Sequence, residues 1–219
     1  MSEPESLATI EGLDEHIRRH SYDRLIMLSD GIFAIATTLA ALDVKLPGHA
    51  GSLLEAIVAG RRTLIAYLLS FVVAGIFWIS NRDLFARLRK VDAPLTVLTL
   101  AMLCMIALIP AAIRSVYVDG GSDAALRVYA LTMFVGGLLN AAMWTYASLR
   151  AGLMLPAVTR TYRWIRVAVS AALPLLFLPI LILPPEQAAP FMIPGVVVVV
   201  LVRRVLLPKW LGRKEAGVS

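Results

Sequence analysis

Between Leu25 and Leu42 the chain runs for eighteen residues with a single ionisable side chain, Asp30. A helix of that length rises about 27 Å, close to the ~30 Å hydrocarbon thickness of a bilayer. A carboxylate within such a span is costly unless it meets a partner or water, so Asp30 is a candidate functional residue. The rest of the chain agrees with a membrane setting. It is 59% hydrophobic and only 16% charged, with mean hydropathy +0.78 over 219 residues, too apolar for a soluble domain of this size.

Five further apolar runs follow, at about Leu53–Ser80, Ala93–Val118, Ala124–Leu149, Trp164–Leu183 and Ala188–Leu207. The fifth holds Pro174 and Pro179 and is expected to kink. The sixth contains Val196–Val200, a strand pattern in a soluble protein. Only helices and closed barrels satisfy backbone groups in lipid, so it is read as a helix. The expectation is an all-α integral membrane protein with six transmembrane helices. Residues 1–20 form a polar N-terminal segment, 21–207 the transmembrane domain and 208–219 a C-terminal tail.

The first twenty residues lack a basic stretch followed by an apolar one, so no cleavable signal peptide is read there. Leu7, Ile10, Leu13 and Ile17 recur at helical spacing and suggest a short amphipathic helix. Ser21 or Asp23 is expected to cap the first span, and Pro47-Gly48 to end it.

Sixteen of the 21 Lys and Arg residues fall on the side of the two termini, in clusters such as Arg82, Arg87, Arg89 and Lys90. Five fall on the other: Lys45, Arg61, Arg62, Arg114 and Arg127. By the positive-inside rule both termini are cytoplasmic, which an even number of spans allows. This topology also accounts for the net charge of +6 without nucleic-acid binding.

No phosphate-binding loop, nucleophile elbow, zinc motif, paired cysteines or dinucleotide fingerprint is present. Cys104 is the single cysteine, and His16, His20 and His49 lie outside the spans. The reading is of a non-enzyme without cofactor or metal. A TVGYG-like loop is also missing, so a carbonyl-lined filter is excluded.

On a helical wheel Leu28, Gly31, Thr38 and Leu42 fall within about 60° of Ile35, flanked by Ile32 and Leu39. Ser29 and Asp30 fall on another side, with Phe33, Ala36, Thr37 and Ala40. That second face is small and polar, suited to close helix packing, and places Asp30 against a neighbouring helix. On the wheel alone, the favoured reading of the Ile35 column is a surface toward lipid or core.

The run from Arg24 through Leu28-Ser29-Asp30 into Gly-Ile-Phe-Ala-Ile-Ala-Thr-Thr-Leu, closing on Asp43-Val-Lys45-Leu-Pro47, resembles the opening helix of the transmembrane protein 175 family. Arg24, Ser29 and Asp30 match its RxxxFSD signature, with Leu28 in place of phenylalanine. The resemblance implies a bacterial one-repeat potassium channel, a homotetramer in the inner membrane with four first helices around a central pore. Ile35 then matches the isoleucine of the hydrophobic constriction, with Leu39 and Leu42 as further apolar layers. Thr38 matches a threonine that offers hydroxyls to a dehydrated ion, and Asp43 stands at the outer mouth. Arg24, Ser29 and Asp30 become a network at the cytoplasmic end, with Trp78, Asn81 and Arg82 as partners. Relatives carry a histidine pair where this chain has Asn81-Arg82, so the resemblance brings no histidine role to that position.

The expected function is passive, potassium-preferring conduction through a side-chain-lined pore, with potassium and lipid as partners. The alternative is a carrier or a non-conducting membrane scaffold of the same fold. A carrier would be expected to show internal symmetry and helices broken around a polar midplane site.

Overall fold

The computed structural model describes residues 3–42, 44, 52–118, 120, 122–150, 152–183 and 187. Six helices follow one another: α1 Glu3–Leu42, α2 Leu53–Ala59, α3 Arg61–Phe85, α4 Ala93–Tyr117, α5 Asp123–Leu149 and α6 Arg160–Ile182. Five segments are long and apolar enough to span a bilayer: His20–Leu42 of α1 and the whole of α3, α4, α5 and α6. The expected sixth span, Ala188–Leu207, and the tail 208–219 lie outside the described residues.

Local chemistry explains most helix starts. Ser52, Asp92, Ser122 and Thr159 each accept a backbone N–H three residues on, at the head of α2, α4, α5 and α6. The structure corrects two boundary expectations. Ser21 and Asp23 do not cap a helix, because α1 continues unbroken from Glu3 to Leu42; beyond Pro4 no proline interrupts that stretch. The run Leu53–Ser80 is not one span: Gly60 ends α2, its N–H bonding to Ala56 and Val58 carbonyls, and α3 begins at Arg61. The Arg61 guanidinium donates to the Val58 carbonyl across this break at 3.0 Å. α3 then runs past Ser80 to Phe85.

α4 lies at the centre, packed against α1, α3 and α5, with α6 against the far side of α5. Its buried stripe, Leu95, Thr99, Met102, Leu103, Ile106, Ile109 and Ile113, recurs at three- and four-residue steps. On α1 the matching stripe is Leu25, Ser29, Phe33, Ala36 and Ala40. Small residues there let backbones approach, as membrane helices require where lipid competes equally for apolar side chains. Buried hydroxyls on these stripes donate back one turn: Ser29 to Leu25 O, Ser70 to Ala66 O and Thr99 to Leu95 O, each at 2.8 Å.

α5 approaches α6 through Gly137, where an added Cβ would lie 3.0 Å from Pro174 Cδ and 3.1 Å from Pro174 N.

Two contacts give the direction of α1 against α3. The Tyr22 hydroxyl donates to Phe85 O at 2.7 Å, and Trp78 Nε1 donates to Asp30 Oδ1 at 2.8 Å. Moving up α1 therefore means moving back along α3, so the two are antiparallel. The loops after α3 and α5 meet at the same end as Tyr22. Arg89 N donates to Leu153 O at 2.7 Å and Leu155 N to Arg87 O at 2.9 Å, around a bridge of Leu88 with Met154. Tyr146 closes this end by donating to Asp92 Oδ2 at 2.7 Å. Arg82, Arg87, Arg89, Lys90, Arg150, Arg160 and Arg163 gather here, while Arg61, Arg62, Arg114 and Arg127 flank the opposite end.

Candidate functional site

α1 has two unlike faces. Its buried stripe is locked into the bundle: Ser29 is 1% exposed, and its hydroxyl is satisfied within its own helix. The other face is uncovered by any described helix. Ile35 is 58% exposed and Leu42 76%, with Leu28, Thr38 and Leu39 also exposed. This column is the one containing the constriction and selectivity candidates. Asp43 lies outside the described residues.

The Thr38 hydroxyl donates to the helix, with Ala34 O at 2.9 Å and Ile35 O at 3.1 Å. Its proton is thereby committed to a backbone carbonyl. The lone pairs of the oxygen remain on an exposed surface, which suits a cation better than an anion.

Asp30 sits at the edge between the two faces. Trp78 donates to it from α3, and the Arg82 guanidinium lies over the Trp78 ring at 5.2 Å from its centroid. The carboxylate is thus reached through an indole that is itself stacked by a cation. Beyond the pair, α1 and α3 diverge around an open apolar groove of about 530 Å³, lined by Phe33, Ala34, Thr37, Phe71, Ala74, Gly75 and Ile79.

The candidate network assembles only in part. Asp30, Trp78 and Arg82 come together. Arg24 is exposed on α1, and among the described residues no hydrogen bond or ion pair joins it to Asp30, Trp78 or Asn81. Asn81 is 4% exposed on the stripe facing α4, and its Oδ1 has no donor among the described residues. Ser29 supplies close packing rather than a link between helices.

A second polar cluster, on the far side of α3, was not assembled by sequence reasoning. Arg166 of α6 is 3% exposed, pairs with Asp83 Oδ2 at 3.2 Å, and lies 4.3 Å from the Trp144 ring centroid. Trp144 Nε1 donates to Ser80 Oγ at 3.3 Å, and Ser80 donates to Asn140 Oδ1 at 3.0 Å. Arg87 lies over the Tyr162 ring at 4.8 Å and also approaches Asp83. The sequence signal was the position of Arg166 inside an apolar run, where a cation needs a partner. Counting it among interfacial charges hid that need.

The geometry defines an all-helical, multi-pass membrane protein whose first span is anchored on one side and, among the described residues, uncovered on the other. Residues 24–110 match the model of the family described as endosomal/lysosomal potassium channel TMEM175. A potassium channel of Streptomyces collinus is 36% identical over 141 residues, covering 62% of this chain and 68% of that one. The chain belongs to the TMEM175 family. The human endosomal/lysosomal proton channel TMEM175 is 29% identical over 143 residues, and the match spans only 28% of that longer protein. The fold is like that of the crystal structure of a lysosomal potassium-selective channel TMEM175 homolog from Chamaesiphon minutus. Its TM-score is 0.54 at 20% identity, covering 80% of this chain and 98% of that one.

Proposed function

We propose that four copies of this chain surround a potassium-conducting pore lined by the Leu28, Ile35, Thr38 and Leu42 face of α1. The chain is a potassium channel of its family and not an enzyme; the pore assignment is our reading. One observation carries it: α1 is held from behind by α3 and α4, while its Ile35 column meets no described helix. A single chain with a first helix so placed cannot enclose a pore alone, and symmetry about that column does so.

In this arrangement Ile35 forms the narrowest ring, with Leu39 and Leu42 above it. A ring of branched apolar side chains closes both sterically and by dewetting. Thr38 presents an oxygen whose proton is already engaged, so four such oxygens replace part of the hydration shell of potassium. Asp43 raises the cation concentration at the outer mouth. Asp30, held by Trp78, keeps the pore helix in register with the bundle, and Arg24 anchors its cytoplasmic end. The basic end of the bundle, with both termini, faces the cytoplasm, and the protein resides in the bacterial inner membrane.

The test is potassium flux through purified protein reconstituted in liposomes. Flux above protein-free vesicles, with potassium favoured over sodium under bi-ionic conditions, is the expected result. Assembled protein without potassium flux would overturn the proposal.

A further inference from the structure

We infer that Arg166 is a positioning residue for conduction, acting from α6 through the end of α3 on the pore helix. The cytoplasmic end of α3 is gripped from two sides. Trp78 reaches α1 through Asp30, and Asp83, five residues on and about 140° around the helix, reaches α6 through Arg166. Arg82, one turn beyond Trp78 and beside Asp83 in the chain, stacks on the Trp78 ring. A displacement of α6 therefore moves the segment that holds Asp30.

The link between α6 and α3 is doubled. Arg166 pairs with Asp83 directly at 3.2 Å, and it also covers the Trp144 ring, whose N–H reaches Ser80 of α3. A planar guanidinium does both at once, its edge pairing and its face stacking; a compact ammonium has no flat face to stack while it pairs. The contacts of Arg166 with Asp83 and Trp144 lie on α3 and α5 rather than on the pore face of α1, so its effect on conduction is indirect. The inference rests on the pore reading of α1 given above.

Backbone hydrogen exchange and potassium flux, measured on Arg166→Gln, Arg166→Lys and Asp83→Asn in liposomes, test it. The Gln and Asn variants are expected to speed exchange at residues 22–34 of α1, and to lower flux per assembled channel by about five- to tenfold, the scale of coupling between separated sites. Arg166→Lys, keeping the ion pair and losing the stack, is expected to fall between them and the parent. Faster exchange confined to 80–87 and 160–170, with α1 unchanged, would make the clasp purely local and overturn the inference. Should Arg166→Gln not fold, Asp83→Asn at its partly exposed position decides the outcome by the same two readings. Ile35→Asn measured in parallel separates the two failures. Unchanged flux there removes the pore reading; raised flux there, with unaltered flux in the Arg166 and Asp83 variants, removes the clasp alone.

Discussion

Trp78 donates its indole N–H to Asp30 Oδ1 at 2.8 Å, joining α1 to α3 across 48 residues of sequence. With Tyr22 donating to Phe85 O at 2.7 Å, it sets both the direction and the register of the pore-helix candidate against the bundle. The two ties lie eight residues apart on α1 and seven apart on α3, as expected for antiparallel helices of equal rise.

Asp30→Ala is expected to leave the Trp78 N–H without its acceptor and to cost about 1 kcal/mol of stability, the net worth of a hydrogen bond at an exposed position where water replaces part of the loss. Asp30→Asn keeps an acceptor and should cost less, and Trp78→Phe should resemble Asp30→Ala. Detergent melting curves compare the three. Parent-like melting of both Asp30→Ala and Trp78→Phe would show that the bond does not hold α1.

Ile35 is the residue we propose for the constriction. Ile35→Ala should widen the apolar ring and Ile35→Asn should wet it, so both should raise potassium flux through matched amounts of assembled protein. A lipid-facing Ile35 predicts the opposite pattern, with Ile35→Asn poorly expressed and flux unaltered or lower.

Thr38 is assigned to selectivity through its oxygen. Thr38→Val preserves volume and removes the oxygen, and Thr38→Ala removes both. Equal loss of potassium preference in the two variants would identify the oxygen as the cause. Unchanged bi-ionic reversal potentials would remove Thr38 from the filter.

The two glycines of α5 separate packing from propensity. At Gly136 the nearest atom to an added Cβ is Met105 Cβ at 3.5 Å, an ordinary contact. Gly136→Ala should be neutral or gain up to about 1 kcal/mol, because alanine loses less backbone freedom in a helix. At Gly137 the Cβ would press on the Pro174 ring and backbone, which cannot rotate away, and overpacking of this kind costs about 1–3 kcal/mol. Melting temperatures should therefore shift in opposite directions, or fall for Gly137→Ala alone. An unchanged Gly137→Ala melting curve would mean that α6 yields at Pro174.

Topology is open to a labelling test. In a Cys104→Ser background, a cysteine at Ala124 should react with an impermeant thiol reagent added outside cells, and one at Arg89 only after the membrane is opened. The reverse pattern would invert the protein.

The sequence by itself determined the all-helical membrane class, the extents of α4 and α5, the polarity of α1 and the family. Apolar run lengths marked α4 and α5 to within a residue or two, and the capping residues Asp92 and Ser122 explain those starts. Periodicity separated Ser29, Phe33, Ala36 and Ala40 from Ile35 and Leu42, because angular position on a helix depends only on residue spacing. What covers each face was decided by tertiary structure alone. In lipid a leucine stripe is equally content against a helix or an acyl chain, so hydrophobic pattern does not say which occurs. The break at Gly60 was likewise unmarked, since apolar residues continue on both sides of it. Partners of the polar residues were hidden for the same reason: Trp78 lies 48 residues from Asp30, and Asp83 lies as far from Arg166 in sequence as α3 from α6. Only the packed bundle turns an arginine that reads as one more interfacial charge into a buried clasp between α3, α5 and α6.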